Sequence, residues 1–210
     1  MKTIHDALMW RYATKQFDPT KKLPEETLNQ ILEAGCLSPS SFGLQPWKFV
    51  LVENPELRAQ LRTVGYNQPQ ITDASHIIII AYKNTLDEDY VDSYMKSTAD
   101  VRGISIDDLA TFKAAILGSV SGKSSEDIKK WNSRQVYIPL GIMLEAAALL
   151  EVDACPMEGF DSVKFDELLG LNDLGYSSVA MMALGYRSES DATALATKSR
   201  FSKEEIVLRK

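Results

Sequence analysis

Wound as a helix, the stretch from Val136 to Leu150, VYIPLGIMLEAAALL, is apolar nearly all round, and this constrains the chain more than any other feature. A helix without a polar face must be buried on more than one side. A chain of 210 residues with 45% hydrophobic content can bury one substantial core, which predicts a single domain over residues 1–210. The natural cover for whatever side of the helix that core leaves over is a second copy of the chain, so a homodimer is expected. Helical periodicity reaches back to Ser124, and the segment Ser124 to Glu151 reads as one long helix or two joined ones. Pro139 opposes an unbroken helix. It cannot donate to the Gln135 carbonyl and costs ~3 kcal/mol or more in a helix interior, so a kink is expected there.

A second focus is the run Cys36 to Trp47, CLSPSSFGLQPW, where hydroxyl residues, turn formers and aromatics are crowded together. Upstream, Pro24 at a first helical position, Glu25 and Glu26 in the first turn and Gly35 after the last turn mark a helix with Leu28, Ile31, Leu32 and Cys36 inward. Downstream, Trp47 to Val52 reads as a buried strand. A loop held at both ends can present Ser40 and Ser41 to a polar ligand, with Phe42 and Trp47 as flat apolar surface. Its local chemistry is divided evenly between that role and an ordinary helix-to-strand turn.

The remaining elements follow from caps and periodicity. Thr3 with Asp6 caps a first helix that ends near Tyr12, Asn54-Pro55-Glu56 opens another, and Leu86 to Asp89 reads as a helix start. Ile77 to Ile80 is a central strand buried on both faces, and His76 is an end-of-strand hydrogen bonder. Tyr90 to Val120 reads as two helices, the second capped by Ser105 and Asp108. Val152 to Cys155 is a short strand running into a turn at Pro156 to Asp161. Tyr176 to Leu184 is the last internal strand, and Ile206-Val207-Leu208 reads as a tail strand.

Several function classes fall away. A net charge of -6 speaks against a nucleic-acid or anionic-membrane surface, and purely apolar runs such as Ile77 to Tyr82 are too short to span a bilayer. The ends show no targeting signal, and Cys36 and Cys155 form no CxxC pair. A cytoplasmic protein with reduced cysteines is expected. Two scattered histidines make no metal cluster, and no Ser-His-acid set stands out. Gly118 to Ser124 imitates a P-loop with one residue too few between its glycines and a helical pattern before it, so it reads as a helix-helix turn capped by Ser124. Arg11 and Lys15, close together at a helix exit, have the chemistry to grip a phosphate, although a solvated basic turn is the commoner arrangement.

The loop Ser38 to Trp47, together with RYATKQFD (Arg11 to Asp18), DASH (Asp73 to His76), CPMEGFD (Cys155 to Asp161) and KSR (Lys198 to Arg200), resembles the nitroreductase family in motif and in order along nearly the whole chain. The resemblance implies an α+β fold: a central mixed, mostly antiparallel sheet flanked by helices, with the C-terminal tail strand exchanged across a homodimer. It implies an oxygen-insensitive, FMN-dependent oxidoreductase using NAD(P)H, acting on nitroaromatics, quinones or similar small electron-poor acceptors by a ping-pong mechanism. The long apolar helix would form the dimer core, and both chains would contribute to each flavin site.

Residue by residue, the resemblance assigns Arg11, Lys15, Lys198 and Arg200 to the phosphate, with Ala13 where a serine is often found. Pro39, Ser40, Ser41, Gly43 and Gln135 would also contact FMN, as would Asn67 and Gln70. Gln70 stands where relatives carry a lysine at the N1/O2 edge, and a neutral amide there donates a hydrogen bond without a full charge. Pro156, Met157, Glu158 and Gly159 would pass along the ring, the backbone N–H at the Glu158–Gly159 step facing the flavin N5. Phe42, Tyr66 and Phe112 would line the substrate face. The same binding residues suit a reductase of a pteridine, an enone or free flavin, or a non-catalytic FMN-binding redox sensor. Little acid–base machinery is expected of the protein itself, because the cofactor carries the redox chemistry.

Overall fold

The computed structural model describes residues 3–210. Strands β1 (Trp47–Val52), β2 (His76–Lys83), β3 (Asp153–Met157) and β4 (Tyr176–Gly185) form one sheet in the order β1-β2-β4-β3. Every neighbouring pair is antiparallel, in keeping with the expected mostly antiparallel sheet. Among the described residues, parallel pairing is confined to a bridge between Ala13 and Ala154 at the β3 edge. β3 also runs farther than expected, so Pro156 and Met157 lie in the strand and the turn begins at Glu158.

The helices are α1 (Ile4–Trp10), α2 (Glu25–Cys36), α3 (Pro55–Val64), α4 (Gln70–Asp73), α5 (Glu88–Arg102), α6 (Ala110–Ser121), α7 (Ser125–Gln135), α8 (Tyr137–Leu149), α9 (Ser162–Leu169) and α10 (Lys203–Ile206). Two layers of them sandwich the sheet. Ile78 and Ile80 face α2 and α8, packing with Leu28, Ile31, Leu140 and Met143, whereas Ile77 and Ile79 face α3 and α9, packing with Leu61 and Phe165. All four isoleucines are fully buried, each contributing roughly 1.5–3 kcal/mol, so β2 anchors both layers. β1 is an edge strand. Only its ends, Trp47 and Val52, are buried, and no strand among the described residues pairs on its outer side.

Local signals account for most helix starts. Thr3 and Asp6 form the expected reciprocal cap on α1, Asn54 caps α3 with Pro55 next to it, and Ser124 caps α7. α2 departs from expectation at both ends. Pro24 is its cap rather than its first residue, and Gly35 lies inside it. A Cβ at Gly35 would stand 2.7 Å from Met143 Sδ and 3.0 Å from Phe49 Cε2, so this glycine lets α2 close on α8 and β1. The helix therefore continues to Cys36, which is exposed instead of inward.

The long apolar segment divides at Val136, three residues before the expected kink. The break puts Pro139 in the first turn of α8, where its missing N–H has no intrahelical partner to lose. α5, α6 and α7 form an excursion with its own apolar cluster of Val91, Met95, Leu109, Ile116 and Ile128, and Leu44 of the loop inserts into it. At the C-terminus a single chain forms no strand at residues 206–208. Ser202 and Glu205 cap each other reciprocally and start the single turn α10, and Val207 and Leu208 follow it exposed and without regular structure.

Candidate functional site

Two distant segments build a cationic cleft. The chain leaves α1 extended at Arg11, and the buried Asp191 pins this exit. Its carboxylate accepts from Tyr12 Oη at 2.9 Å, from the Lys15 and Gln16 N–H groups at 2.8 and 3.2 Å, and from the Thr193 N–H at 3.0 Å. Lys198 Nζ donates to the carbonyls of Leu8 and Arg11, satisfying the end of α1. The C-terminal arm thus lies beside the N-terminal segment, and a cleft of about 440 Å³ opens between them, lined by Arg11, Tyr12, Ala13, Lys198 and Arg200.

The charges in this cleft are unbalanced. Among the described residues no acidic side chain lines it, and Arg11 Nε is buried without a hydrogen-bond partner there. Burial, then the neighbouring Arg200, holds Arg11 below its ordinary pKa. Lys198 is lowered by burial and by both arginines. Three cations that repel one another beside an orphaned donor suit a multiply charged anion. Lys15 does not line the cleft. Its charge, like that of Arg11, acts on buried Cys155 in β3, where burial nevertheless raises the thiol overall.

The loop after α2 is shaped differently. Phe42, Gly43 and Gln45 all take left-handed backbone, with φ of 56°, 74° and 47°. Neutral hydrogen bonds hold it there. Tyr94 Oη donates to the Phe42 carbonyl at 3.0 Å, and Tyr90 Oη to the carbonyls of Leu44 and Gln45 at 2.9 and 3.0 Å. Ser40 Oγ accepts from the Gln45 N–H, and Gln135 Oε1 from the Ser41 N–H, both at 2.8 Å. Pro39 is exposed at the entry. Phe42 and Phe112, expected as open stacking surface, pack on each other at 6.3 Å, with Trp131 edge-on to Phe42 at 6.2 Å. Both rings are half-buried because the excursion closes over the loop.

A third group surrounds the end of β3. Tyr137 Oη donates to Glu158 Oε1 at 2.7 Å, and burial followed by this bond pushes the phenol up to about 12. The turn after α3 brings Tyr66 and Asn67 alongside, and Gln68 Nε2 donates to the Gly159 carbonyl at 2.6 Å. Tyr66 is 69% exposed despite its aromatic ring. Gln70 begins α4 and is buried, its Oε1 without a partner.

The structure thus brings Arg11, Ala13, Lys198 and Arg200 together, joined to β3 through the Ala13–Ala154 bridge. Ser40, Ser41, Phe42, Gly43, Gln135 and Phe112 form a separate group. Sequence reasoning missed Gln68, Tyr90, Tyr94, Trp131, Tyr137 and Asp191. Only the aspartate had a local signal, as the cap of a short 3-10 turn at Ala192–Leu195.

Comparison with known proteins bears on the family and the fold. Residues 8–186 match the profile described as Nitroreductase family. A Staphylococcus epidermidis protein provisionally named NAD(P)H nitroreductase is 41% identical over 202 residues, covering 89% of each chain. Among solved structures, a provisionally assigned nitroreductase from Exiguobacterium sibiricum in complex with FMN superposes with a TM-score of 0.85 at 21% identity, covering 100% of this chain and 98% of that one. An enone reductase of gut-bacterial fatty acid saturation gives 0.83 at 22% identity, covering 100% and 98%. The α+β architecture, the order of the motifs and the match across most of the sequence agree: this chain belongs to the nitroreductase family.

Proposed function

We propose that the protein is an FMN-dependent oxidoreductase that draws on NAD(P)H to reduce electron-poor small molecules such as nitroaromatics and quinones. The observation that carries this reading is the cleft of Arg11, Lys198 and Arg200, with its buried, unpartnered Arg11 Nε and no acidic lining residue. A terminal phosphate dianion supplies what those donors lack. Lys15 adds charge from the β3 side, while Pro156, Met157 and the Glu158–Gly159 turn would run along the ring beside Asn67 and Gln70. Ser40, Ser41, Gly43 and Gln135 would approach from the loop, and Tyr66 offers an exposed aromatic wall. Bound FMN would supply the two-electron chemistry, with donor and acceptor using one stacking face in turn, a ping-pong order.

The active species in this reading is a homodimer. Apolar side chains remain exposed on neighbouring elements: Leu8 and Met9 on α1, Tyr137 and Ile138 on α8, and Ile206, Val207 and Leu208 at the tail. α1 packs on α8, so the first two sets adjoin. An apolar surface of that kind supports a contact with a second copy. Within one chain the loop group and the cationic cleft are separate, which suits sites completed by the partner. The absorbance spectrum of purified protein, with chromatography of the released flavin, tests the reading. Stoichiometric FMN is expected, together with a dimer by light scattering; a colourless protein that takes up no added FMN would overturn it.

A further inference from the structure

The turn joining α3 to α4 is strained in a way its own sequence does not require. Tyr66 and Asn67 both adopt φ of 54°, a left-handed conformation that asparagine accepts readily but that costs roughly 1–2 kcal/mol at a residue such as Tyr66. Strain of this kind persists only where the surroundings over-determine it, and it gathers at functional sites. Backbone bonds from Asn67 N–H to Arg62 and from Gln68 N–H to Gly65 provide part of the hold. The rest is one amide. Gln68 Nε2 donates to the Gly65 carbonyl at 3.0 Å, closing the turn, and to the Gly159 carbonyl at 2.6 Å, tying it to the end of β3.

That tie places an aromatic wall against a backbone edge. A Cβ built at Gly159 would stand 3.7 Å from Tyr66 Cδ2 and 3.8 Å from Gln68 Nε2, so ring, amide and glycine meet at one point. We infer that Gln68 is a positioning residue: its amide sets the separation between the Tyr66 ring and the Glu158–Gly159 backbone, and with it the width of the slot for planar acceptors. The inference rests on the proposed flavin chemistry at that backbone. It explains why Tyr66 remains exposed: the strained turn presents the ring instead of folding it away.

The test exchanges donors for acceptors. Gln68→Glu is nearly isosteric but turns a carboxylate oxygen toward two carbonyls, whereas Gln68→Lys keeps donors within reach of both. For the FMN-loaded dimer, Gln68→Glu should lower kcat/KM for a nitroaromatic acceptor by about 10- to 100-fold, the loss expected of a misplacement near 1 Å. FMN should remain bound, with a loss of affinity smaller than the loss in kcat/KM, because the phosphate cleft is untouched. Gln68→Lys should recover most of the loss. In flavin-free protein, the amides of Glu158 to Phe160 should exchange hydrogen faster in Gln68→Glu than in the parent.

Unchanged turnover in Gln68→Glu would overturn the inference, as would a loss as deep in Gln68→Lys. Should the parent bind no FMN, the proposed function fails, and exchange at residues 158–160 decides the latch by itself: equal rates in parent and variant would overturn it.

Discussion

The cationic cleft and the loop over Phe42 are built on opposite plans. The cleft draws on segments without regular structure, aligned by Asp191 and Lys198, and its like charges repel. The loop is a strained backbone whose carbonyls are already met by two tyrosines of α5. One region is electrostatically incomplete in the chain alone and the other is geometrically complete. Substitutions in the first should therefore register in ligand affinity, and those in the second in the stability of the fold itself.

The largest effect should come from the cleft. Replacing Lys198 and Arg200 together by alanine removes two charge-assisted contacts of ~1.5–3 kcal/mol each, so FMN affinity should fall by at least about 100-fold in a fluorescence titration. The flavin-free protein should unfold near the parent's temperature, because removing Arg200 relieves repulsion while removing Lys198 loses the end of α1. Undiminished affinity in the double variant would break the contrast at its root.

The loop should answer in the opposite currency. Gly43→Ala puts a Cβ on a residue with φ of +74° and drives it into Tyr94 Oη. Left-handed strain and overpacking together should cost about 2–4 kcal/mol in urea unfolding. Adding Tyr94→Phe removes the colliding oxygen, so part of that cost should return despite the lost hydrogen bond. If Gly43→Ala unfolds like the parent, the loop is not set by geometry in the way described.

A smaller, pH-dependent effect distinguishes the framework of the cleft from its charges. Burial alone would raise Asp191, but the bonds from Lys15, Gln16, Tyr12 and Thr193 outweigh it and hold the carboxyl below its ordinary range. A depressed folded pKa means that the stabilisation is full above the ordinary carboxylate value, near 3.9, and is lost as the pH falls through the lower folded value. Parent and Asp191→Asn should therefore differ in thermal stability at neutral pH and converge in acid. A gap that stays constant down to pH ~2 would remove the carboxylate from this role.

What could be read in advance was whatever a few neighbouring residues decide. Thr3 with Asp6, Asn54 before Pro55, and the run Ile77 to Ile80 announce their structure within one turn or one strand. In the tail of one chain, Ser202-Lys203-Glu204-Glu205 spells the helix start that is seen, while a strand at residues 206–208 would need a pairing edge from outside the chain. The motifs led to Arg11, Lys198 and Arg200, and the cleft unites them. No local pattern could reveal Gln68, Tyr137 or Asp191 as contacts, because their partners lie 91, 21 and up to 179 residues away. The Gly35 packing against Met143 is hidden for the same reason.

The break at Val136 has a mechanical consequence. On one side of it Gln135 holds the Ser41 N–H, and on the other Tyr137 holds the Glu158 carboxylate. The two attachments are separated by Val136 alone, whose φ of -69° and ψ of -19° stay in the right-handed helical region, so the three-helix excursion and the β3 turn hang from neighbouring links. In an unbroken helix, positions two apart would point about 200° around the axis from each other in a fixed relation. With Val136 still in right-handed helical torsions that relation is close to the helical one, and Gln135 and Tyr137 reach the loop and the β3 turn from different sides of one stretch of chain.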